Sequence, residues 1–576
     1  MKHNPAFLTQ DELIRSFVVR HTDLELIVER LHDQGEGPSQ HILLIGPRGI
    51  GKTTLALRVA AAVRSDPELA ERWYPLVFGE ESYEVGTAAE LWLEALLRLA
   101  EQTKDARWKA AYEELRAQRD EKRLYTQALA RLMDFADERK ARLLVVVENL
   151  NMILGEQLDD HDGWDLRHTL QNEPRVMLLA TATSRFDEID NVDKAMYDLF
   201  WTYDLKPLGT SECRALWAAV SGHEIDEHRI RPIEILTGGN PRLLAIFSAF
   251  GAKLALRELM SQLTQLVDDH TSYFKGNLER LPAAERKVYV ALADAFSPAT
   301  AREVAAAARV DVNKASALLH RLVGRGAVIE VKQEGRKISY QVAERMYNIY
   351  HLMRRGGQGE ERIKRMVDFM IHFYDNHEER HSPTPTQVAP GEAAPLADGR
   401  EPYAAALIRA LEASPSPGRL AETKLPYQRS PETPGRAMVV PSNQRAYVAA
   451  EYAALAPAVH LLLGGAAALS IDNRDLLDML ISAAAAGHAE QALALLLASP
   501  VGAAFEPLVV ALQTILHHPC DAPHEIVEIA RDIIERIEAR RAAFSTAEPP
   551  PVVPRPQERS SSRAPRARRA PAKRPR

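Results

Sequence analysis

The chain has 576 residues, 46% hydrophobic and 26% charged, with a formal net charge of −7. That is ordinary globular composition, long enough for three or four domains, and it excludes a disordered or fibrous protein. Two cysteines, Cys213 and Cys520, cannot build a disulfide framework, no apolar run reaches membrane-spanning length, and MKHNPAFLTQ lacks the apolar core of a signal peptide, so a cytoplasmic protein without membrane contact is expected. The charge is unevenly spread. From Pro551 to Arg576 nine Lys/Arg face only Glu558, which leaves about −15 on the remainder, so nucleic-acid contact would need local basic surfaces.

Residues 1–210 alternate short apolar runs with longer amphipathic stretches, the pattern of an α/β fold with a mostly parallel sheet. The expected strands are Ile42 to Ile45, Tyr74 to Phe78, Leu143 to Val147, Val176 to Ala180 and Thr202 to Leu205. Helical patterns then dominate residues 211–280, a small lid. Residues 281–345 carry three short helical patterns (Ala284 to Phe296, Thr300 to Arg309, Val312 to Val323) and a two-stranded wing, Ala327 to Lys332 and Lys337 to Val342, in the order of a winged helix-turn-helix. A helical extension (346–375), a Pro-rich linker (376–445), an all-α, repeat-like domain (446–545) and a disordered basic tail (546–576) complete the expected organisation.

The richest motif follows the first strand. Gly46-Pro47-Arg48-Gly49-Ile50-Gly51-Lys52-Thr53, continuing into Thr54 and a helical stretch, has the spacing of a phosphate-binding P-loop. Its glycines let main-chain amides wrap phosphates, Lys52 reaches the terminal phosphates, and the Thr53 hydroxyl is placed to ligate Mg²⁺. The following helix directs its positive end at the same anion. A P-loop ATPase also needs an apolar strand ending in an acid, and Leu143 to Val147 followed by Glu148-Asn149 is the candidate. In one register Glu148 positions Mg²⁺ and Asn149 stands where a water-activating carboxylate is usual; in the other Glu148 activates water and Val147 falls at the metal position. The first is favoured, because its apolar run ends where the acid begins; in the second, Val147 could not act on a metal. An amide orients water but is a poor proton acceptor, so slow ATP hydrolysis is expected. The strand ending Thr181-Ala182-Thr183-Ser184-Arg185 offers Thr183 or Arg185 as a γ-phosphate sensor. Gly238-Gly239-Asn240-Pro241-Arg242 opens a helix whose Arg242 can relay nucleotide state to the lid.

These residues, with Phe17-Val18-Val19-Arg20 before the first long helix, Pro207-Leu208 before the lid and the attached winged helix, resemble the STAND and origin-recognition branch of AAA+ ATPases over roughly residues 10 to 350. The resemblance implies that Arg20 lies against the nucleotide, although Val19 replaces the usual glycine. It also implies a closed ADP state and an open ATP state that self-associates.

In the winged helix, Asn313, Lys314, Ser316, His320 and Arg321 on the third helix and Arg336 and Lys337 in the wing are the candidate DNA contacts. The arginine-rich tail could hold nucleic acid without sequence preference, and the C-terminal helices could take a protein partner. His517, His518, Cys520 and His524 have no usual zinc spacing. The leading reading is a nucleotide-controlled switch in regulation or signalling, with a defence role by analogy. The alternatives are an ATP-dependent DNA-binding initiator, transcriptional regulator or transposition helper, and a scaffold with a degenerate nucleotide site.

Overall fold

The structure is a computed structural model that describes residues 8–35, 37–79, 85–251, 281–332, 338–374, 473–498, 500–520 and 522–546, with a few isolated positions between 254 and 279. The expected linker and tail, the start of the C-terminal domain and part of the lid lie outside the described residues.

Five strands, β1 (His41–Ile45), β2 (Trp73–Val77), β3 (Arg142–Val147), β4 (Val176–Ala182) and β5 (Phe200–Asp204), form one parallel sheet in the order β2-β3-β4-β1-β5. Their near-continuous Val, Ile and Leu content follows from burial on both faces. On one face lie the helices Ala88–Thr103, Ala106–Leu115, Glu121–Arg139 and Asp160–Asn172. The other is covered by His21–His32 and Lys52–Ser65, the latter through Leu55, Ala56, Val59 and Val63. The buried His41 pins the start of β1: its Nε2–H donates to the Leu170 carbonyl and its Nδ1 accepts from the Leu178 amide, while burial lowers its pKa to about 4. It is a structural, neutral histidine.

The topology decides where chemistry can occur. Because β3, β4 and β1 are neighbours, with Val147 opposite Ala180 and Ala182 opposite Ile45, the residues that follow them open side by side at the carboxyl edge of the sheet.

The lid helices Thr210–Ser221, Glu227–Thr237 and Pro241–Gly251 lead to the winged helix. Its helices are Ala283–Ala295, Ala301–Ala308 and Val312–Gly324, and its wing is β7 (Val328–Lys332) against β8 (Ile338–Val342), with Val328 opposite Val342. A short third strand absent from the sequence reading, β6 (Ala299–Thr300), pairs with β8 and leads straight into the second helix, whose start is held by a capping box between Thr300 and Glu303. Arg345–Arg355 and Gln358–Tyr374 form the helical extension.

The C-terminal helices Asn473–Ala485, Ala489–Ala498, Glu506–Ile515 and His524–Thr546 open with a hairpin, turned at Gly487 with φ +98°. These helices share one hydrophobic core with the lid and the winged helix, in which Ile233, Leu244, Leu322, Ile349, Phe369, Leu480, Leu508 and Ile529 are all buried. Ion pairs reinforce the junction: Arg231 of the lid meets Glu528 and Asp532 at 2.9 Å, Arg345 meets Glu525, and Arg362 meets Glu506. No described helix is long and apolar enough to cross a membrane.

Candidate nucleotide site and its two junctions

The loop Gly46–Thr53 leaves β1 and closes into the helix Lys52–Ser65, with Gly49 at φ +79° and Gly51 at φ +101°, conformations open to glycine. Lys52 is 8% exposed and folds back over the loop, its Nζ donating to the carbonyls of Gly46 at 2.6 Å and Pro47 at 3.1 Å. The hydroxyl of Thr53 donates to Glu148 Oε2 at 2.8 Å, whereas Val147 is fully buried. The geometry therefore brings Glu148, and not Val147, to the P-loop threonine. A hydroxyl and a carboxylate joined in this way are the donor types that suit Mg²⁺, whose remaining ligands would be waters and phosphate oxygens.

Burial favours the neutral amine of Lys52; Glu148 opposes this and Arg48 adds to it, and the net result is a pKa lowered to about 8. A phosphate set against Lys52 would restore the ammonium, so binding should take up a proton above pH 8. Nucleotide affinity is then expected to fall about tenfold per pH unit between pH 8 and 10. Calorimetric Kd values at pH 7 and 9 check this, and Lys52→Met should remove the dependence.

Asn149 adopts a left-handed conformation, φ 52°, and its amide donates to Thr181 Oγ1 at 3.2 Å. Two residues on lies a group that the sequence reading missed. Asn151 Nδ2 donates to Thr183 Oγ1 at 3.3 Å, and the Thr183 amide donates back to Asn151 Oδ1 at 3.2 Å. These two hydrogen bonds hold the sensor candidate Thr183 at the end of β4; the repeat of Asn after Glu148 was their only sequence signal. Arg185 is drawn elsewhere. Its guanidinium is bonded to Asp190 at 3.2 Å, Thr202 at 3.1 Å and Asp204 at 3.4 Å, beside β5.

Arg20 is buried in a left-handed conformation, φ 65°. Its Nε donates to the Ile50 carbonyl at 3.1 Å, its other guanidinium nitrogens to Asp23 and the Lys206 carbonyl, and its amide to Glu212 Oε1 of the lid. Arg20 thus lies against the loop, with its guanidinium committed to the protein acceptors Ile50, Asp23 and Lys206. It holds loop and lid in register even though Val19 stands in for glycine.

The lid motif touches the loop directly. Asn240 Nδ2 donates to the Arg48 carbonyl at 2.9 Å, and the Arg242 amide to the Gly49 carbonyl at 3.3 Å. The approach is close enough that a Cβ on Gly49 would lie 2.7 Å from Asn240 Oδ1. Arg242 itself is exposed at this junction. A second junction joins the end of β4 to the winged helix: Ser184 Oγ donates to the Gly324 carbonyl at 2.9 Å, and Gly326, φ +66°, packs against the Thr183 main chain.

On the third helix of the winged module Asn313, Lys314, Ser316, His320 and Arg321 are all exposed, with Asp311 capping its start. Arg336 and Lys337 lie outside the described residues. Among the described residues no group of three His, Cys, Asp or Glu side chains could hold a metal ion.

Fold and site together define a P-loop ATPase domain carrying a winged helix. Residues 16–179 match the AAA ATPase domain family, and residues 281–353 match the sugar-specific transcriptional regulator TrmB family. No curated protein matches the chain. Among solved structures, the chain is similar to the Walker-type ATPase PABY2304 of Pyrococcus abyssi, at 15% identity over 58% of this chain and 96% of that one with a TM-score of 0.43. It is also similar to the Aeropyrum pernix ORC1 protein solved in complex with DNA, at 15% identity over 60% and 94% with a TM-score of 0.36. Thermotoga maritima RuvB is a third, at 15% identity over 59% and 94% with a TM-score of 0.29.

Proposed function

We propose that this chain is a nucleotide-controlled switch that binds ATP with Mg²⁺ at Gly46–Thr53, hydrolyses it slowly, and changes the docking of its lid and winged helix with nucleotide state. The observation that carries the reading is the pair of junctions: the lid is bonded to the loop apex at Arg48 and Gly49, and the winged helix to the sensor strand at Ser184. A ligand shifts such an equilibrium only by binding its states unequally, and phosphates at the loop would act on both junctions at once.

In this reading Lys52 binds the terminal phosphates, and Thr53 and Glu148 hold Mg²⁺, which when bound screens phosphate charge. Asn149 orients the attacking water, Thr183 and Arg242 register the γ-phosphate, and the ATP form self-associates. Asn149 also sets the rate. Its left-handed backbone suits Asn or Asp, so Asn149→Asp keeps the local fold while supplying a base. Turnover is expected to rise by about 10²-fold in a phosphate-release assay; no rise in a folded protein would assign the water to another group.

A second reading gives the switch a DNA output, making the chain an ATP-dependent regulator or initiator. The exposed polar face of the third helix and the TrmB match favour it. Lys314→Ala with Arg321→Ala should weaken duplex binding and reduce the salt slope by about 2. The experiment that tests the function is duplex binding and light scattering with ADP, ATP and no nucleotide. Nucleotide should alter oligomeric state or DNA affinity in the natural chain and do neither in Lys52→Ala. A natural chain indifferent to nucleotide would leave a scaffold.

A further inference from the structure

Away from the nucleotide site, one face of the ATPase domain combines exposed aromatic rings with dense negative charge. Trp164 is 50% exposed, Tyr197 40% and Val192 69%, and these two rings are the only aromatic side chains among the exposed large hydrophobic residues described. They form one surface. Arg167 donates to the carbonyls of Ala195 and Tyr197, and its guanidinium carbon lies 5.9 Å from the Trp164 ring. Gly163 lets the helix Asp160–Asn172 approach the loop, since a Cβ there would lie 3.3 Å from Ala195 Cβ.

Around the rings Asp160, Asp165, Asp193 and Asp198 are exposed, and residues 159–198 hold ten Asp/Glu against four Lys/Arg. Three of those four cations lie close by and are already engaged. Lys194 pairs with Asp160 at 2.9 Å, Arg185 with Asp190 and Asp204, and Arg167 with main-chain carbonyls. An exposed aromatic patch of this kind marks an interaction site, and its charge calls for a cationic occupant.

The chain carries such a segment. Residues 555–576 hold nine Lys/Arg, four prolines and a single acid, Glu558. Arginine stacks on Trp and Tyr faces while pairing with carboxylates, and proline-rich peptides pack on aromatic surfaces. The last described helix ends at Thr546, and 30 residues can span up to ~100 Å, so reach is not limiting. We infer that the Trp164 face is the docking surface for the basic C-terminal segment, residues 555–576, of the same chain. The docked segment is withheld from nucleic acid, and salt releases it.

The test places a photo-cross-linking amino acid at Ala570 of the full-length, nucleic-acid-free protein. At 50 mM NaCl, cross-links should concentrate in residues 159–198. They should fall at least tenfold at 0.5 M NaCl and in the variant Trp164→Ser, Asp165→Lys, Asp193→Lys. A second variant, with the nine tail cations changed to Ser, should lose them while the body of the protein is untouched. Mixing ¹⁴N and ¹⁵N chains should give cross-links within one isotope. Cross-links elsewhere on the protein, none at low salt, hybrid-isotope products, or a pattern unmoved by both variants would overturn the assignment. So would a tail that reacts only with added duplex DNA.

Discussion

Arg345→Met is expected to destabilise the protein by about 3–5 kcal/mol, because it strands the Glu525 carboxylate without its partner. Glu525 is fully buried and Arg345 5% exposed on their side chains, and the guanidinium bonds both carboxylate oxygens, at 2.7 Å and 2.5 Å. The same guanidinium donates to the Phe296 carbonyl, so one side chain ties the end of the winged module's first helix to the last helix of the chain. Denaturant unfolding measures the loss. Adding Glu525→Leu to Arg345→Met should recover most of it, since a buried pair replaced by apolar groups is often close to neutral. Failure to recover would mean that the C-terminal helices are held chiefly by other contacts.

The second large effect concerns communication more than stability. Gly326 sits at φ +66°, and a Cβ there would lie 2.9 Å from the Thr183 carbonyl oxygen. Gly326→Asn tolerates the left-handed backbone, so what remains is the clash with the sensor strand. The variant is expected to lift the winged helix off the ATPase domain, lower stability by about 1–2 kcal/mol, and make any nucleotide effect on the winged helix at least tenfold smaller while nucleotide affinity stays within about twofold. Duplex binding and calorimetry with and without ATP read the two effects separately. Equal loss of both would make Gly326 a general structural residue and not a junction.

Much of the ATPase domain was legible in the sequence. The five strands are buried on both faces and therefore read as unbroken apolar runs, each found within two residues of its place. The P-loop announces itself because its glycines, Lys52 and Thr53 must stand at fixed spacing between a strand and a helix. The three helices and wing of the DNA-binding-type module were legible from three short helical patterns followed by two strand-like runs. The long-range pairings were not. Ser184 meets Gly324 across 140 residues, Arg345 meets Glu525 across 180, and Arg231 meets Asp532 across 301. Nothing in local periodicity records such partners, so the C-terminal helices read as a separate domain when they complete the core of the lid and winged helix. Arg185 misled for a similar reason: a guanidinium after a sensor strand suggested phosphate contact, but the carboxylates that claim it, Asp190 and Asp204, come later in the chain.

The same long-range ties give the proposed switch its physical content. The lid is bonded on one side to the phosphate loop and on the other, through Arg231, to the last helix. A movement of Asn240 at the loop would therefore be transmitted as a rigid displacement of a shared core, and not as local loosening. The winged helix, reached from Ser184 and from Arg345, belongs to that body.

Nucleotide at Lys52 should be felt at both junctions. Hydrogen–deuterium exchange of the full chain with ADP, with ATP and Mg²⁺, and without nucleotide tests it most directly. Amide exchange at 238–242 and 324–326 should change by at least about threefold between the nucleotide-free and ATP forms, and Lys52→Ala should abolish the change. Protection confined to Gly46–Thr53, with both junctions exchanging identically in all three states at saturating nucleotide, would contradict it.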